Sequence, residues 1–197
     1  MAKTSSTTTR LDKGKIRRDL RAALRAMPAT TAARASSAIC ERLRPLLARG
    51  TVLAFSPLPG EVNIEPLLHE LDAEGRLVLP RVDGWGLSLH RVASPGLLGR
   101  GAHGIAEPGP DLPRATPGEI QTVLVPGLGF TEAGARLGRG GGYFDRLLPT
   151  LGARRVGVCF SLQVLPDLPT EEHDAPVDIV VHEGRQGGGD DPAGQAG

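Results

Sequence analysis

The chain has 197 residues, enough for one domain with a sizeable core, and its 23 basic and 22 acidic side chains give a formal net charge of +1. This near-neutral charge and an aromatic content of 3% argue against nucleic acid as a partner, because a basic field and stacking platforms are both lacking. Cys40 and Cys159 lie far apart in apolar surroundings, which favours buried thiols over a disulfide or a zinc site.

Both ends of the chain lack the pattern of a packed segment. Residues 1–10 are rich in Ser and Thr, and residues 185–197 are mostly Gly, Asp and Gln, so we expect both to be flexible and residues 11–184 to form a single domain. No apolar run approaches the roughly 20 residues of a membrane span, and the N-terminus lacks the apolar core of a secretory signal. We therefore expect a cytoplasmic protein without membrane contacts.

Helices and apolar strands alternate in the first half of the chain. Apolar residues at helical spacing predict a basic amphipathic helix over residues 13–27 and a core helix over residues 30–47, capped by Thr30 or Thr31. Short apolar runs at residues 51–55 and 77–79 predict buried strands, with a third helix between them. This order is typical of a parallel sheet with right-handed crossovers.

The second half continues the pattern. Residues 87–92 alternate between apolar and polar side chains, which predicts a strand with one wetter face at the edge of the sheet. Prolines and glycines dominate residues 94–118 and predict a long loop. Further buried strands are predicted at residues 120–125, 156–160 and 177–181. We expect an α/β fold with three layers, α/β/α, around a mostly parallel sheet.

The stretch after residues 120–125 has the most unusual composition. A β-branched run ends at Pro126, and residues 136–142 then bring two arginines together with several glycines. Glycines tolerate positive φ and have no Cβ, so successive backbone N–H groups can form a concave nest for phosphate oxygens. Apolar residues from Tyr143 onward predict a helix whose positive N-terminal end points at the same anion. The sequence thus predicts a strand, an anion-binding loop and a helix.

This loop matches neither of two common nucleotide-binding patterns. No Gly-Lys-Ser/Thr follows it, as a Walker A sequence requires, and Tyr143 stands where the third glycine of a dinucleotide fingerprint starting at Gly138 would be. Ser56 and Ser161 follow strands, but neither lies in a Gly-x-Ser-x-Gly elbow, which argues against acyl-enzyme chemistry.

Acidic residues near the predicted strand ends are candidates for ligand contacts. Glu61 follows the first strand, where open α/β sheets bind their ligands. Asp145 comes directly after the glycine-rich loop, and His173-Asp174 with Asp178 forms a second acidic group. Mg²⁺ is usually held by one or two carboxylates together with substrate phosphates, so these residues favour Mg²⁺ over zinc.

These residues resemble the 5-formyltetrahydrofolate cyclo-ligase family, also called the methenyltetrahydrofolate synthetases. The family pattern is similar to Val-Pro-Gly-(two residues)-Phe-(six residues)-Leu-Gly-(two residues)-Gly-Gly-Tyr-Tyr/Phe-Asp-Arg, and residues 125–146 match it almost throughout. Further matches, in the family's order, extend the similarity over about residues 13–183. They are Lys13, Arg17, Glu61-Val62-Asn63, Pro80-Arg81, Gly104-Ile105, Glu107-Pro108, His173-Asp174 and Val177-Asp178.

The resemblance implies an ATP-dependent ring closure in which 5-formyltetrahydrofolate and ATP give 5,10-methenyltetrahydrofolate, ADP and phosphate. In this chemistry the formyl oxygen takes the γ-phosphoryl group, N10 attacks the activated carbon, and phosphate leaves. Positioning and charge neutralisation are the main requirements of such a reaction. The small-molecule substrates would be the partners, and we expect a monomer.

The resemblance also implies roles for individual residues. Arg139 and Tyr143 would be catalytic and contact the folate, Glu61 would hydrogen-bond the pterin, and Asp145 with Asp174, or with Asp178, would hold Mg²⁺. The predicted ATP contacts are Lys13, Arg17, Arg136, Leu137, Gly138, Arg139, Gly140, Gly141, Gly142, Tyr143 and Phe144.

Three positions depart from the family pattern. Phe144 replaces a frequent tyrosine, Gly141 stands where some members have lysine, and His103 lies near a position where some have tryptophan. Two alternatives keep the phosphate-binding loop. One is an enzyme of related fold with a different ATP-dependent or sugar-phosphate substrate, and the other is a non-catalytic nucleotide-sensing module.

Overall fold

The computed structural model describes residues 12–93, 98–100 and 106–184. The predicted flexible ends, 1–10 and 185–197, and the motif residues 103–105 lie outside this part of the chain. Its helices are α1 (Lys13–Ala26), α2 (Ala29–Leu43), α3 (Glu65–Ala73) and α4 (Tyr143–Leu147). Its strands are β1 (Thr51–Leu53), β2 (Leu77–Asp83), β3 (Gly86–Arg91), β4 (Gly99–Arg100), β5 (Ala106–Glu107), β6 (Ile120–Pro126), β7 (Gly129–Phe130), β8 (Arg136–Leu137), β9 (Arg154–Val158) and β10 (Ile179–Val181).

Six of these strands form one sheet in the order β10-β9-β6-β1-β2-β3. All neighbouring pairs from β10 to β2 are parallel, whereas β3 pairs antiparallel with β2 through a tight turn. The predicted mostly parallel sheet, with residues 87–92 in an edge strand, is therefore confirmed. Because the five strands from β10 to β2 run the same way, the loops after β1, β2 and β6 gather at one edge.

Alternate residues of the strands enter two hydrophobic clusters, one on each face of the sheet. Val52 and Leu124 pack with helices α1 to α3, whereas Leu53 and Val123 face the side covered by α4 and the 3₁₀ turn at Leu148–Thr150. Each fully buried aliphatic side chain stabilises the fold by about 1.5–3 kcal/mol relative to its exposed form. The α/β/α layering is present, with a much thinner second helical layer.

Cys40 and Cys159 are both free and buried. Burial raises the pKa of both thiols, so neither is poised as a nucleophile at neutral pH. Within the described residues, none of the helices combines the length and apolar character needed to cross a membrane.

The start of α2 differs from the prediction. The helix begins at Ala29, directly after Pro28, and no side chain caps it, whereas Thr30 or Thr31 had been expected to do so. Pro28 has φ −60°, close to the helical value, so it leads directly into the first turn and places both threonines inside the helix.

Two segments that the sequence predicts to be loops contain short strands. Strands β7 and β8, of two residues each, form an antiparallel hairpin between β6 and the glycine-rich loop. Strands β4 and β5, also of two residues each, pair inside the predicted loop of residues 94–118. The helix predicted from Tyr143 is present but only five residues long. Strands of two residues are too short to show a hydrophobic period, which explains why the sequence did not predict them.

Candidate active site

Two adjoining cavities open at the edge where the parallel strands end. The first, of about 400 Å³, is lined by Phe55 and Ser56 after β1, Pro80 of β2 and Gly127 after β6, and we call it the carboxylate cavity because Glu61 and Glu107 also line it. Its remaining walls come from Tyr143, Phe144 and other apolar side chains. This is where open α/β folds bind their ligands.

The second cavity, of about 530 Å³, lies between the start of α1 and residues 171–174, and we call it the cationic groove. Lys13 and Arg17 line it from α1, and Asp174 lines it from the opposite side. Gly138, Gly141, Gly142 and Asp145 line both cavities. The glycine-rich loop is therefore the wall that separates them.

The loop adopts a conformation that only glycine accommodates easily. Gly140 and Gly142 have φ values of +113° and +66°. A Cβ at Gly141 would lie 3.0 Å from the Tyr143 ring, and one at Gly142 would lie 2.8 Å from Arg146 Nη1. Side chains at these positions would displace the walls of both cavities.

Arg136 and Leu137 support the loop from the protein interior. Arg136 is 6% exposed, pairs with Asp145 and donates to the carbonyls of Ala175 and Pro126, each at 3.4 Å. Burial lowers the pKa of this guanidinium, and the charge of Asp145 opposes that effect. Leu137 is 2% exposed, so only its backbone can face a nucleotide. The predicted nucleotide contacts of both residues remain predictions.

Helix α1 holds the other side of the loop through arginines one turn apart. Arg17 Nε donates to the carbonyl of Gly138 at 3.0 Å, and Arg21 Nη2 donates to the carbonyl of Arg139 at 3.0 Å. Residues four apart lie on the same face of a helix, which is why both side chains reach consecutive loop residues. Sequence reasoning assigned no role to Arg21, although its spacing from Arg17 was the available signal.

Lys13 links the start of α1 to residues 171–174 in the cationic groove. Its Nζ lies 2.6 Å from Asp174 Oδ2 and 3.1 Å from Glu171 Oε2. Burial acts to lower the pKa of Lys13, but hydrogen bonds to both carboxylates outweigh it, and the pKa is raised. Burial acts to raise the pKa of Asp174, but the hydrogen bond from Lys13 leaves the pKa lowered. Both groups are therefore charged at neutral pH.

Several carboxylates, the type of ligand that a hard cation prefers, lie in this region. Asp145 Oδ1 accepts from the amide of Ala175 at 3.2 Å, which brings Asp145 next to Asp174. Asp145 Oδ2 accepts no hydrogen bond from the described residues and lies 3.9 Å from a Cβ placed at Gly138. Ligand atoms of Glu171, His173 and Asp174 lie within 4.8 Å of one another.

Asp178 lies elsewhere. Its Oδ2 accepts from the amide of Arg155 at 2.7 Å, where it joins the starts of β9 and β10, and it does not line the cationic groove. Asp174 therefore fits the predicted metal site better than Asp178.

Glu61 is held inside the carboxylate cavity by two donors. Its side chain is 7% exposed, Oε1 accepts from Arg139 Nε at 2.7 Å, and Oε2 accepts from the amide of Leu58 at 2.9 Å. An ionised carboxylate has about four acceptor positions, so Glu61 retains capacity for a ligand with N–H groups. Arg139 reaches it from the glycine-rich loop and so connects the two predicted substrate regions.

Tyr143 and Phe144 form the apolar side of the carboxylate cavity at the start of α4. The Arg146 guanidinium lies 5.2 Å from the centroid of the Tyr143 ring, a cation–π distance. Arg146 also donates to the carbonyl of Trp85 at 2.8 Å and to that of Gly141 at 3.1 Å, and thereby links the β2–β3 turn to the loop.

Glu107 is a cavity residue to which sequence reasoning gave no role. It is 4% exposed and lies in the two-residue strand β5. Its segment had been expected to be a loop, so the sequence did not predict a buried carboxylate there. The Glu107-Pro108 match to the family pattern was the signal that pointed to this position.

Comparison with known proteins covers most of the chain. Residues 9–183 match the model of the 5-formyltetrahydrofolate cyclo-ligase family. The chain is 36% identical over 140 residues to the 5-formyltetrahydrofolate cyclo-ligase of Mycolicibacterium smegmatis, covering 66% of this chain and 72% of that protein. It is 30% identical over 151 residues to the Escherichia coli K12 protein of the same name, covering 70% and 80%.

Solved structures agree with these matches. The 5,10-methenyltetrahydrofolate synthetase of Aquifex aeolicus superimposes with a TM-score of 0.80 at 37% identity, over 88% of this chain and 90% of that one. The Mycoplasma pneumoniae synthetase, at 21% identity and a TM-score of 0.73 over 88% and 100%, shares the fold. The family resemblance seen in the sequence is confirmed, and the chain belongs to the 5-formyltetrahydrofolate cyclo-ligase family.

Proposed function

We propose that the chain catalyses the ATP-dependent cyclisation of 5-formyltetrahydrofolate to 5,10-methenyltetrahydrofolate, with release of ADP and phosphate. One observation carries the proposal: the glycine-rich loop is shared by a cavity containing buried carboxylates and a groove lined by Lys13 and Arg17 together with several carboxylates. A pterin on one side and a triphosphate on the other would meet across a single stretch of backbone. Small molecules would then be the partners of the enzyme.

The carboxylate cavity suits the folate. Its apolar walls match a bicyclic ring, and Glu61 can accept hydrogen bonds from the pyrimidine N–H groups while Arg139 holds it in place. Selectivity follows, because a ring without those donors would leave a buried charge unpaired. Tyr143 and Phe144 would pack against the substrate from the side of α4.

The cationic groove suits the nucleotide. Lys13 and Arg17 would lie beside the phosphates, and the N–H groups of Gly140, Gly141 and Gly142 would bind the γ-phosphoryl oxygens. Arg139, which lines the carboxylate cavity from the glycine-rich loop, would neutralise charge that develops between the formyl oxygen and phosphorus.

Asp145 and Asp174 would hold Mg²⁺, because both carboxylates line the groove and Asp145 lies beside the residue that follows Asp174. The ion supplies neutralisation of phosphate charge when it is bound.

The reaction then needs no covalent bond to the protein. The formyl oxygen attacks the γ-phosphorus and ADP leaves, after which N10 attacks the formyl carbon and loses its proton as phosphate departs. The residues of the site align the two reactants and exclude water from them. We further propose that the protein acts as a monomer in the cytoplasm.

The experiment that tests this function follows the ultraviolet absorbance of the methenyl product. The purified protein with ATP, Mg²⁺ and 5-formyltetrahydrofolate should form product, and omission of ATP should abolish it. Arg139→Lys should lower kcat by about 10²-fold, because lysine cannot reproduce the fixed guanidinium geometry. Arg34→Lys, on the exposed surface of α2, should match the wild type. Product formation without ATP would refute the proposal.

A further inference from the structure

Glu107 is a buried carboxylate that the proposed reaction does not yet use. It is 4% exposed and lines the same cavity as Glu61. In the described part of the chain it forms an ion pair with Arg81, whose Nη1 lies 3.9 Å from Glu107 Oε2, a distance that is too long for a hydrogen bond. Among the described residues, none donates a hydrogen bond to this carboxylate. Within the described residues, its acceptor positions therefore face the cavity without a donor.

The backbone on either side of Glu107 is fastened to the sheet. Ser56 Oγ, at the end of β1, donates to the carbonyl of Ala106 at 2.6 Å. Arg81 Nη1, from β2, donates to the carbonyl of Pro108 at 2.8 Å. The two bonds bracket Glu107 and anchor it to the carboxyl ends of two parallel strands. Such anchoring of a two-residue strand holds the carboxylate at a defined position on the cavity wall.

The chemistry of the substrate supplies a donor for this carboxylate. If the proposed function holds and Glu61 binds the pyrimidine N–H groups, the remaining ring donor of 5-formyltetrahydrofolate is N8–H, because its N5 carries the formyl group. Tetrahydrofolates and 7,8-dihydrofolate carry this hydrogen, whereas folic acid has an unprotonated N8 whose lone pair would face a negative charge. A buried carboxylate beside N8 would bind the reduced ring and repel the oxidised one.

We propose that Glu107 is a specificity-determining residue that accepts a hydrogen bond from N8–H of the reduced pterin and so excludes fully oxidised folates. Glu61 then recognises the pyrimidine ring of the pterin, and Glu107 recognises the oxidation state of the other ring.

The test compares 7,8-dihydrofolate with folic acid, which differ at the C7–N8 bond. We expect the wild type to bind 7,8-dihydrofolate at least about tenfold more tightly, the equivalent of one hydrogen bond to a charged group. Glu107→Gln should bring the ratio close to one, because its amide can either accept from N8–H or donate to the unprotonated N8. Glu65→Gln, exposed at the start of α3, should keep the wild-type ratio.

Steady-state kinetics give a second measurement. Glu107→Ala should raise the KM for 5-formyltetrahydrofolate by about tenfold and leave the KM for ATP within about twofold. An unchanged ratio in Glu107→Gln, or an unchanged folate KM in Glu107→Ala, would overturn the proposal. A wild type that discriminates between the two folates but turns over no 5-formyltetrahydrofolate would refute the proposed function and leave the role of Glu107 standing.

Discussion

Glu61 is almost enclosed by the protein, yet it lies where the cavity and the glycine-rich loop meet. Arg139, 2.7 Å away, pairs with it, so any change at Glu61 also affects a residue of the glycine-rich loop. A buried charge of this kind is costly when its partners are lost. Both residues line the carboxylate cavity, where the proposed function gives the pair a role in ligand recognition.

Glu61→Gln should raise the KM for 5-formyltetrahydrofolate by roughly ten- to a hundredfold, because the amide keeps the shape but loses the charge that pairs with pterin N–H groups. The KM for ATP should change by less than about twofold, since the change lies on the folate side of the loop. Steady-state kinetics with each substrate varied in turn provide the measurement, with Glu65→Gln as the exposed control. An unchanged folate KM would contradict the assignment of Glu61.

At the scale of elements, close packing of β9 against the hairpin holds the loop in place. Phe130 of β7 is fully buried, and a Cβ added at Gly157 of β9 would lie 2.7 Å from its ring and 3.1 Å from Val177 Cγ2. The space at Gly127 is equally limited, because a Cβ added there would lie 2.6 Å from the Phe130 ring. The two glycines make room for the aromatic ring beneath the loop.

Gly157→Ala should therefore destabilise the protein by about 1–3 kcal/mol, the usual cost of adding a methyl group to a filled core. Gly152→Ala is the matched control, because an added Cβ there meets nothing within 4 Å. Urea unfolding of both variants measures the difference. Equal midpoints for the two variants would show that Phe130 can move away at little cost.

Glu119, in the 3₁₀ turn before β6, forms an ion pair with the edge strand β3. Glu119 accepts from the amide of Thr116 at 2.6 Å and from Arg91 of β3 at 2.5 Å. The hydrogen bond from Thr116, followed by that from Arg91, lowers the pKa of Glu119 to about 2 from a usual value of 4.5. Because the folded pKa is the lower one, this contribution to stability is complete above 4.5 and is lost as the pH falls through about 2.

Glu119→Gln should accordingly lower the free energy of unfolding at neutral pH, and the difference from the wild type should shrink between pH 4.5 and about 2. Urea titrations at about pH 7 and about pH 3 measure this difference. A difference that is the same at both pH values would mean that the ionised carboxylate is not responsible.

For the whole molecule, the sequence predicted the sheet because its inner strands are continuous apolar runs such as residues 120–125. It also predicted a glycine-rich loop after β6, where Gly140 and Gly142 have positive φ, whereas anion binding by this loop stays a prediction. The pairing of Lys13 with Asp174, 161 residues apart, was foreseen only as two separate ligand roles. Local patterns contain no distance information across such a separation.

Glu107 shows most clearly what sequence patterns cannot supply. Its burial depends on a two-residue strand fastened by Ser56 and Arg81, which come from distant parts of the chain. A strand of two residues is too short to show an alternation of apolar and polar side chains. The hydrogen bonds from Ser56 and Arg81 form only after the sheet has brought these residues together. Arg21 was overlooked for a different reason, since basic residues on an amphipathic helix are usually solvated.

In the proposed reaction the glycine-rich loop brings a folate and a triphosphate together, so the two conversions are coupled. The most direct test records methenyl absorbance and phosphate release in the same reaction mixture. We predict one phosphate for each methenyl product, and neither product when 5-formyltetrahydrofolate or ATP is left out. Phosphate released without methenyl product while both substrates are present, or methenyl product formed at the same rate without ATP, would contradict the account.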